Sequence, residues 1–534
     1  MAQEAQAIQI EQQQQFPEGY KWIVMPIIML GILMATLDSS IVNVSIPKIM
    51  ADFGVNLDDI EWVSTGYMLA YATLMPLTGW LRDRIGYKNI YVGALFLFTL
   101  GSVLCGLSWN LPSLLVARVI QALGGGAMQP TAMAMMTEVF PPKERGRAMG
   151  FFGVGIILGP AIGPTLGGWL TDYFGWRSIF MVNLPIGIIG FVAAIELLIK
   201  DAPHKIIRRN FDFWGFGFLS LFLVCALLGM SKGQREGWTS AFILTCFTLA
   251  ALGFIGFLLV DSYVDNPIID LGLFKIPVFA SATAITVARS AGLFGSIFLI
   301  PVFVQQQLGY TAFQSGLLML PSSLFMAIIF PIVGIMADKV GPRIPSAIGV
   351  VIVAYSLFVY NNLSVDTSIW GLIYPMLVRS IGMGLLQAPI MVAFMNSVPQ
   401  KKIGVASSMN NIIMQVGASL GIAFFTAILS NRSVYHIAMA GQDVKAGNPA
   451  FRQAMVNIMQ HVHSLGYSFS TARAAGTSLI MGSVIKHAVV EAFQDTFFIA
   501  SIVVVLALPL ALILPLHVVR QVHGHKPGSS PLAE

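Results

Sequence analysis

The sequence predicts an all-α polytopic membrane protein, and three observations carry that prediction. Of 534 residues, 56% are hydrophobic and 10% are charged, whereas roughly a quarter of a soluble chain is charged. The mean hydropathy is +0.77. Apolar runs recur along most of the chain, each near the roughly 20 residues that a helix needs to cross a bilayer. The net charge of +5 is small for this length and fits basic loops at one membrane face, not a nucleic-acid surface.

In order, the spans fall near 22–46, 62–80, 90–109, 112–136, 148–171, 178–199, 213–231, 240–260, 279–304, 313–337, 344–363, 369–395, 404–430 and 493–517. Fourteen crossings put both termini on one side. The N-terminal tail is polar (Gln12 to Gln15) and carries no cleavable signal pattern, so the first run is read as a retained helix. One set of short loops holds Arg82, Arg84, Lys88, Lys143, Arg145, Arg147, Lys200, Lys205, Arg208, Arg209, Lys275, Lys339, Arg343, Lys401 and Lys402. The opposite short loops hold Lys48, Arg177, Lys232 and Arg235. The positive-inside rule makes the basic side cytoplasmic. The expectation is a multi-pass protein of the inner (cytoplasmic) membrane with cytoplasmic tails 1–21 and 518–534. Cys105, Cys225 and Cys246 all lie in apolar runs and read as buried small residues, with no disulfide framework or metal spacing.

An internal repeat divides the chain. Gly79-Trp80-Leu81-Arg82-Asp83-Arg84-Ile85-Gly86-Tyr87-Lys88 follows the second span, and Gly334-Ile335-Met336-Ala337-Asp338-Lys339-Val340-Gly341-Pro342-Arg343 follows the tenth. Gly, Asp, a base and Gly recur at the same spacing. Two spans later each half carries an intramembrane arginine. Arg118 leads into Gly124-x-Gly126-x-x-Gln129-Pro130, and Arg379 into Gly382-x-Gly384-x-x-Gln387 with Pro389 close behind. Repeats of this kind are common in transporters. They predict two six-helix bundles, 22–200 and 279–517, with a linker and two inserted helices over 201–278.

Asp38 is the carboxylate of the first span. A charge at that depth is costly and usually faces a bundle interior or a water cavity, where it carries ions, protons or substrate. Counted from the outer helix ends at about 1.5 Å per residue, Asp38 lies roughly 12 Å deep and Arg118 roughly 9 Å. Burial disfavours the carboxylate charge and a nearby arginine favours it, so a balanced pair suits proton loading and release. A static ion pair, or a reader of substrate charge, are the alternatives.

These motifs resemble the fourteen-helix drug:proton antiporters of the major facilitator superfamily, the EmrB/QacA type. Gly79 to Lys88 is similar to the superfamily's loop motif. Leu37-Asp38-Ser39-Ser40-Ile41-Val42-Asn43-Val44-Ser45-Ile46-Pro47 resembles the first-helix motif. Gly155 with Gly159-Pro160-Ala161-Ile162-Gly163-Pro164-Thr165-Leu166-Gly167-Gly168 resembles the antiporter motif of the fifth helix. Ala122 departs from the Gly usual there. The resemblance implies the major facilitator fold and proton-driven export of hydrophobic compounds, cations among them. No cofactor is implied, the proton gradient being the energy source. Export of one natural metabolite, lipid or siderophore is the alternative.

Asp38 and Arg118 are then the candidate proton-coupling pair. Gly79, Asp83, Arg84 and Gly86, with Asp338, Gly341 and Arg343, are the candidate conformational latches, because a carboxylate is favoured at a helix N-terminus. A capped turn within a solvated charge cluster is the alternative. Gly155, Gly159, Pro160, Gly163, Pro164, Gly167 and Gly168 are expected to form a seam of small residues between the bundles. Substrate is expected between the bundles near the midplane. Polar candidates are Asn43, Gln121, Gln129, Asn183, Gln387, Asn410, Asn411 and Gln415, and apolar ones Met34, Tyr67, Met68 and Phe394. Arg379 is expected to bond helix-terminal carbonyls or Gln387, with a substrate role equally open; Arg289 has no predicted partner.

Residues 431–492 read as one large outer loop. Phe451, Ala454, Met455, Ile458, Met459 and Val462 fall at helical spacing, and a second helix-like stretch runs from Ala472 to about Val490. EmrB-type pumps typically work with a periplasmic adaptor and an outer-membrane channel, which makes this loop a candidate docking site; a self-packed hairpin is the alternative. His436, His461 and His463 read as solvated. No Cys–His pairing, His-Glu-x-x-His or Walker pattern is present, which disfavours an enzyme or an ATP-driven pump. A passive channel would not need paired repeats with latches.

Overall fold

The computed structural model describes residues 17, 19–199, 210–264, 267–399, 402–443, 449–465 and 468–515. Most of the N-terminal tail, the C-terminal tail 518–534, and Lys200, Lys205, Arg208, Arg209 and Lys401 lie outside the described residues. Among the described residues all regular structure is helical. The first bundle comprises α1 (Tyr20–Phe53), α2 (Trp62–Leu74), α3 (Leu77–Gly106), α4 (Leu111–Val139), α5 (Arg145–Phe174) and α6 (Asn183–Leu197). The inserted pair is α7 (Phe213–Glu236) and α8 (Ala241–Tyr263). The second bundle comprises α9 (Pro277–Gln306), α10 (Ala312–Val340), α11 (Arg343–Val359), α12 (Ile369–Asn396) and α13 (Ile403–Asp443), then α14 (Pro449–Ser464), α15 (Phe469–Val505) and α16 (Leu508–Ile513).

Thirteen helices among the described residues are long and apolar enough to cross a membrane, one fewer than the fourteen spans. The difference lies at Gly86. Its backbone (φ 79°, ψ 164°) breaks α3, so residues 77–85 complete the crossing that α2 begins and residues 87–106 form the next. Glycine adopts this positive φ without the clash a Cβ would bring. At the other face local side chains set the boundaries. Asn110 and Ser113 form a capping box at α4, and Thr311 and Gln314 form one at α10.

The inserted pair joins the edge of both bundles, since α7 packs on α2 and on α13. Gly253 lets α8 approach the backbone of Phe222 on α7. Lys232 and Arg235 each reach Glu61 at 2.8 Å, tying α7 to the start of α2. The three cysteines are free and buried.

The segment 431–492 is largely helical outgrowth from two spans, not a loop. At about 1.5 Å per residue, the 41 residues of α13 reach some 60 Å, about twice a hydrocarbon core. The stretch after Ala472 is continuous with the last span in the 37-residue α15. All six stripe residues of α14 are half-buried, while their neighbours Arg452, Gln453, Val456, Asn457, Gln460 and His461 are exposed. The stripe lies on α15 where Gly476 leaves room for Met455, Ile458 and Met459. The hairpin therefore packs on itself. His436 is not solvated: its ring sits between Glu491 at 3.0 Å and Asp495 at 2.7 Å, and Arg432 donates to Asp495 at 2.6 Å. Asp495→Asn should release the end of α13 from α15. Hydrogen exchange of residues 432–443 is expected to quicken by roughly 10- to 100-fold, for a charged hydrogen bond worth roughly 1.5–3 kcal/mol; unchanged exchange would exclude the clasp.

Candidate functional site

Asp38 is fully buried in the first bundle, as is Arg118 at 1% exposure. Arg118 Nη1 donates to Asp38 Oδ2 at 2.5 Å and to Gln121 Oε1 at 2.6 Å. Gln121 Nε2 and Asn183 Nδ2 donate to Asp38 Oδ1 at 2.8 and 3.1 Å. Ser102 Oγ accepts from both amides, at 2.7 and 3.2 Å. Arg118 Nε donates to the Val63 carbonyl at 3.2 Å, and the guanidinium lies 4.0 Å from the Tyr67 ring centre. Four elements thus meet at one carboxylate: α1, α3, α4 and α6. These hydrogen bonds to Asp38 all come from side-chain donors: Arg118, Gln121 and Asn183. The sequence placed Asp38 and Arg118 at one depth. Ser102 had no signal, being one hydroxyl among many in apolar helices.

The bundles close on each other in the half nearer the basic loops. Thr78 Oγ1 and Ser408 Oγ are 2.5 Å apart, and Ser407 Oγ donates to the Pro130 carbonyl at 2.5 Å. Asn410 and Asn411 direct their amides at Met133 Sδ, at 3.6 and 3.8 Å. Arg145 donates to Asn396. Gly146 and Gly334 meet backbone to backbone. In the opposite half Ser39 and Asn43 on α1 are exposed, as is Met68 on α2 at 38%. The chain is closed at its basic face, with polar positions exposed toward the other.

Each latch motif is held through its aspartate. Asp338 accepts from the backbone of Gly146 at 2.7 Å and Arg147 at 3.0 Å, two of the free N–H groups that open α5 in the other bundle. Gly341 (φ 84°) turns the chain into α11, which Arg343 begins. In the first repeat Asp83 is buried and pairs with Arg82 at 3.0 Å, while Arg84 is exposed with its guanidinium 5.2 Å from the Trp80 ring centre. Beside it Gly79 packs on Val405 of α13.

The glycine motif of α5 does not form the seam between bundles. Gly155, Gly159, Gly163 and Gly167 recur every four residues and face α1 within the first bundle. Thr36 Oγ1 donates to the Gly155 carbonyl and Ser40 Oγ to the Gly159 carbonyl, both at 3.1 Å. Gly168 lies nearest Val44 of the same helix. The face that meets α10 is instead Gly146, Gly150 and Gly153, with Pro164 and Thr165 near Gly316. Pro160 stays within the helix. A Cβ at Gly159 would meet the backbone of Thr36 and Leu37, whereas at Gly163 it would meet chiefly the Ser40 side chain, which can turn. Gly159→Ala is therefore expected to cost about 1–3 kcal/mol and Gly163→Ala less, as read by thermal unfolding in detergent. The reverse order would contradict this packing.

In the second bundle Arg379 (5% exposed) donates to Ser296 Oγ at 2.8 Å, not to Gln387. Gln387 instead accepts from Arg289, which is 4% exposed. Both arginines sit between α9 and α12.

The sequence matches the Major Facilitator Superfamily over residues 28–422. The chain belongs to that superfamily. It is 33% identical over 499 residues to YhcA of Bacillus subtilis strain 168, an uncharacterized MFS-type transporter, covering 91% of this chain and 92% of the relative. It is 32% identical over 476 residues to a multidrug resistance protein B homolog of Mycobacterium tuberculosis H37Rv, covering 86% and 88%. The crystal structure of the human organic anion transporter MFSD10 (TETRAN) has a similar fold, with TM-score 0.57, 13% identity, and 92% of this chain and all of that one covered. Members of the superfamily are transporters, and this chain is one rather than an enzyme.

In this major facilitator transporter the substrate candidates divide by depth. Asn43 remains exposed, accepting from Ser64 at 3.0 Å. Gln121, Asn183 and Tyr67 belong to the Asp38 cluster. Gln129 accepts from Tyr71 at 2.5 Å. Asn410 and Asn411 are buried in the closed seam, and Phe394 is buried against Phe279. Met34 is fully buried, and Gln415 is partly exposed on α13.

Proposed function

We propose that this transporter is a proton-coupled antiporter that exports hydrophobic compounds by alternating access, with its basic face toward the cytoplasm. The observation that carries the reading is Asp38, fully buried and held by Arg118, Gln121 and Asn183. A proton on Asp38 would remove its charge and turn one of its acceptor sites into an O–H donor, which weakens its hold on Arg118, Gln121 and Asn183. Arg118 would then be uncompensated, which favours rearrangement of α1 and α4. The same α1 lies on the glycine face of α5, and α5 begins at the contact with Asp338. Protonation in the first bundle thus acts on the helix whose other end closes the seam. Support for export of drug-like compounds comes from the relationship to the multidrug resistance protein B homolog.

The test is accumulation of hydrophobic dyes in proteoliposomes under an imposed proton gradient. Inward accumulation that collapses on adding a protonophore supports antiport. Dye equilibration indifferent to the gradient would overturn it.

A further inference from the structure

We infer that Arg289, with Gln387, forms a binding site for the anionic head of an amphiphile: a carboxylate, sulfonate or phosphate on an apolar body. This deepens the export reading by naming a substrate class and rests on it only for transport. The two bundles treat their buried arginines differently. Arg118 is neutralised by Asp38 at 2.5 Å. Arg289 and Arg379 contact neutral groups, Gln387 and Ser296, and neither has a carboxylate partner among the described residues. Arg289 Nε, moreover, is buried with no hydrogen-bond partner. A guanidinium carries five donors in a fork that matches carboxylate and phosphate geometry. An uncompensated one inside a membrane protein is costly and marks an ion or substrate path.

Position supports the same occupant. Counted along α9 from Pro277, Arg289 lies about 18 Å from the basic end, near the middle of the span. Its partner Gln387 reaches the seam, where Gln387 Cγ lies 3.6 Å from the point at which a side chain on Gly153 would begin. The Phe330 ring fills the space between Gly153 and Gly384 and offers an apolar wall beside the charge. Arg379 bonds back to α9 from α12, about two helical turns away, and adds a second positive charge along the same helix pair. Opening the seam from the basic face down to Gly153 would uncover Gln387 and the arginine behind it.

The experiment uses three probes with one body: pyrenebutyrate, pyrenebutanol and pyrenebutyl-trimethylammonium. Each is titrated against the full-length protein in phosphatidylcholine nanodiscs. Pyrenebutyrate is expected to bind tightest. Arg289→Gln should weaken pyrenebutyrate about tenfold or more and leave pyrenebutanol nearly unchanged. Gln387→Glu supplies the missing carboxylate and should weaken the anion equally while preserving thermal stability, which guards against a misfolded Arg289 variant. Arg289→Lys should retain much of the preference. Equal affinity for all three heads, or an anion affinity indifferent to both variants, overturns the site. Phosphatidylglycerol that displaces pyrenebutyrate from wild type, with its effect lost in Arg289→Gln, supports the site and makes a lipid head its occupant. Binding that depends on Arg289 without gradient-driven transport counts against the export reading and leaves the site standing.

Discussion

Asp38→Asn will uncouple transport: downhill exchange of substrate will persist, and gradient-driven accumulation will fall to the equilibrium level. The amide keeps the volume of the side chain and one acceptor for Gln121 and Asn183, which donate to Oδ1. It cannot ionise, and it leaves Arg118 without the charge that now lies 2.5 Å away. Breaking a buried pair by removing one partner typically costs about 3–5 kcal/mol, so the variant should also unfold at lower temperature. Asp38→Asn combined with Arg118→Gln removes the orphaned charge. It should recover much of the lost stability while remaining uncoupled. That separation matters because a purely structural ion pair predicts the opposite, with transport returning alongside stability. Exchange measured with labelled dye on both sides, beside accumulation under a gradient, distinguishes the two.

Gly146→Val will open the basic face. Gly146 and Gly334 meet without side chains, and the Asp338 carboxylate sits against the same turn. A valine there would strike the Gly334 carbonyl and the carboxylate together. Overpacking of this kind costs about 1–3 kcal/mol, which shifts a two-state balance by roughly 5–150-fold. Spin labels at Lys143 and Lys339, in a background without the three native cysteines, should show the longer basic-face distance gaining population. Asp338→Asn should move the distribution the same way by less, since an amide oxygen still accepts one of the two N–H groups. Distances unchanged in both variants would rule out this contact as the closure of the bundles.

Much of this was legible in the sequence, for physical reasons. A carboxylate in an apolar run is costly enough to need a partner, and helix rise gave Arg118 the matching depth. Repeated Gly-Asp-base-Gly spacing exposed the two bundles, and the period of the α14 stripe marked the face that α15 covers. Other features had no such signal. Four glycines spaced four apart specify one face of α5, but nothing in their spacing says which helix that face meets. The expected seam between bundles therefore belongs to α1, while the less regular Gly146, Gly150 and Gly153 line the true one. Arg289 and Gln387 lie 98 residues apart, and their pairing follows from the packing of α9 on α12 alone. Polar residues in 431–443 read as a loop, although a helix running beyond a membrane face has no need of a wholly apolar surface.

The central claim, that Asp38 exchanges protons for substrate, meets its most direct test in the lumenal pH of proteoliposomes under an imposed proton gradient. Adding a transported compound should provoke a proton leak in the wild type and none in Asp38→Asn. A compound that binds and crosses without moving protons, or a leak that persists in Asp38→Asn, would contradict the account.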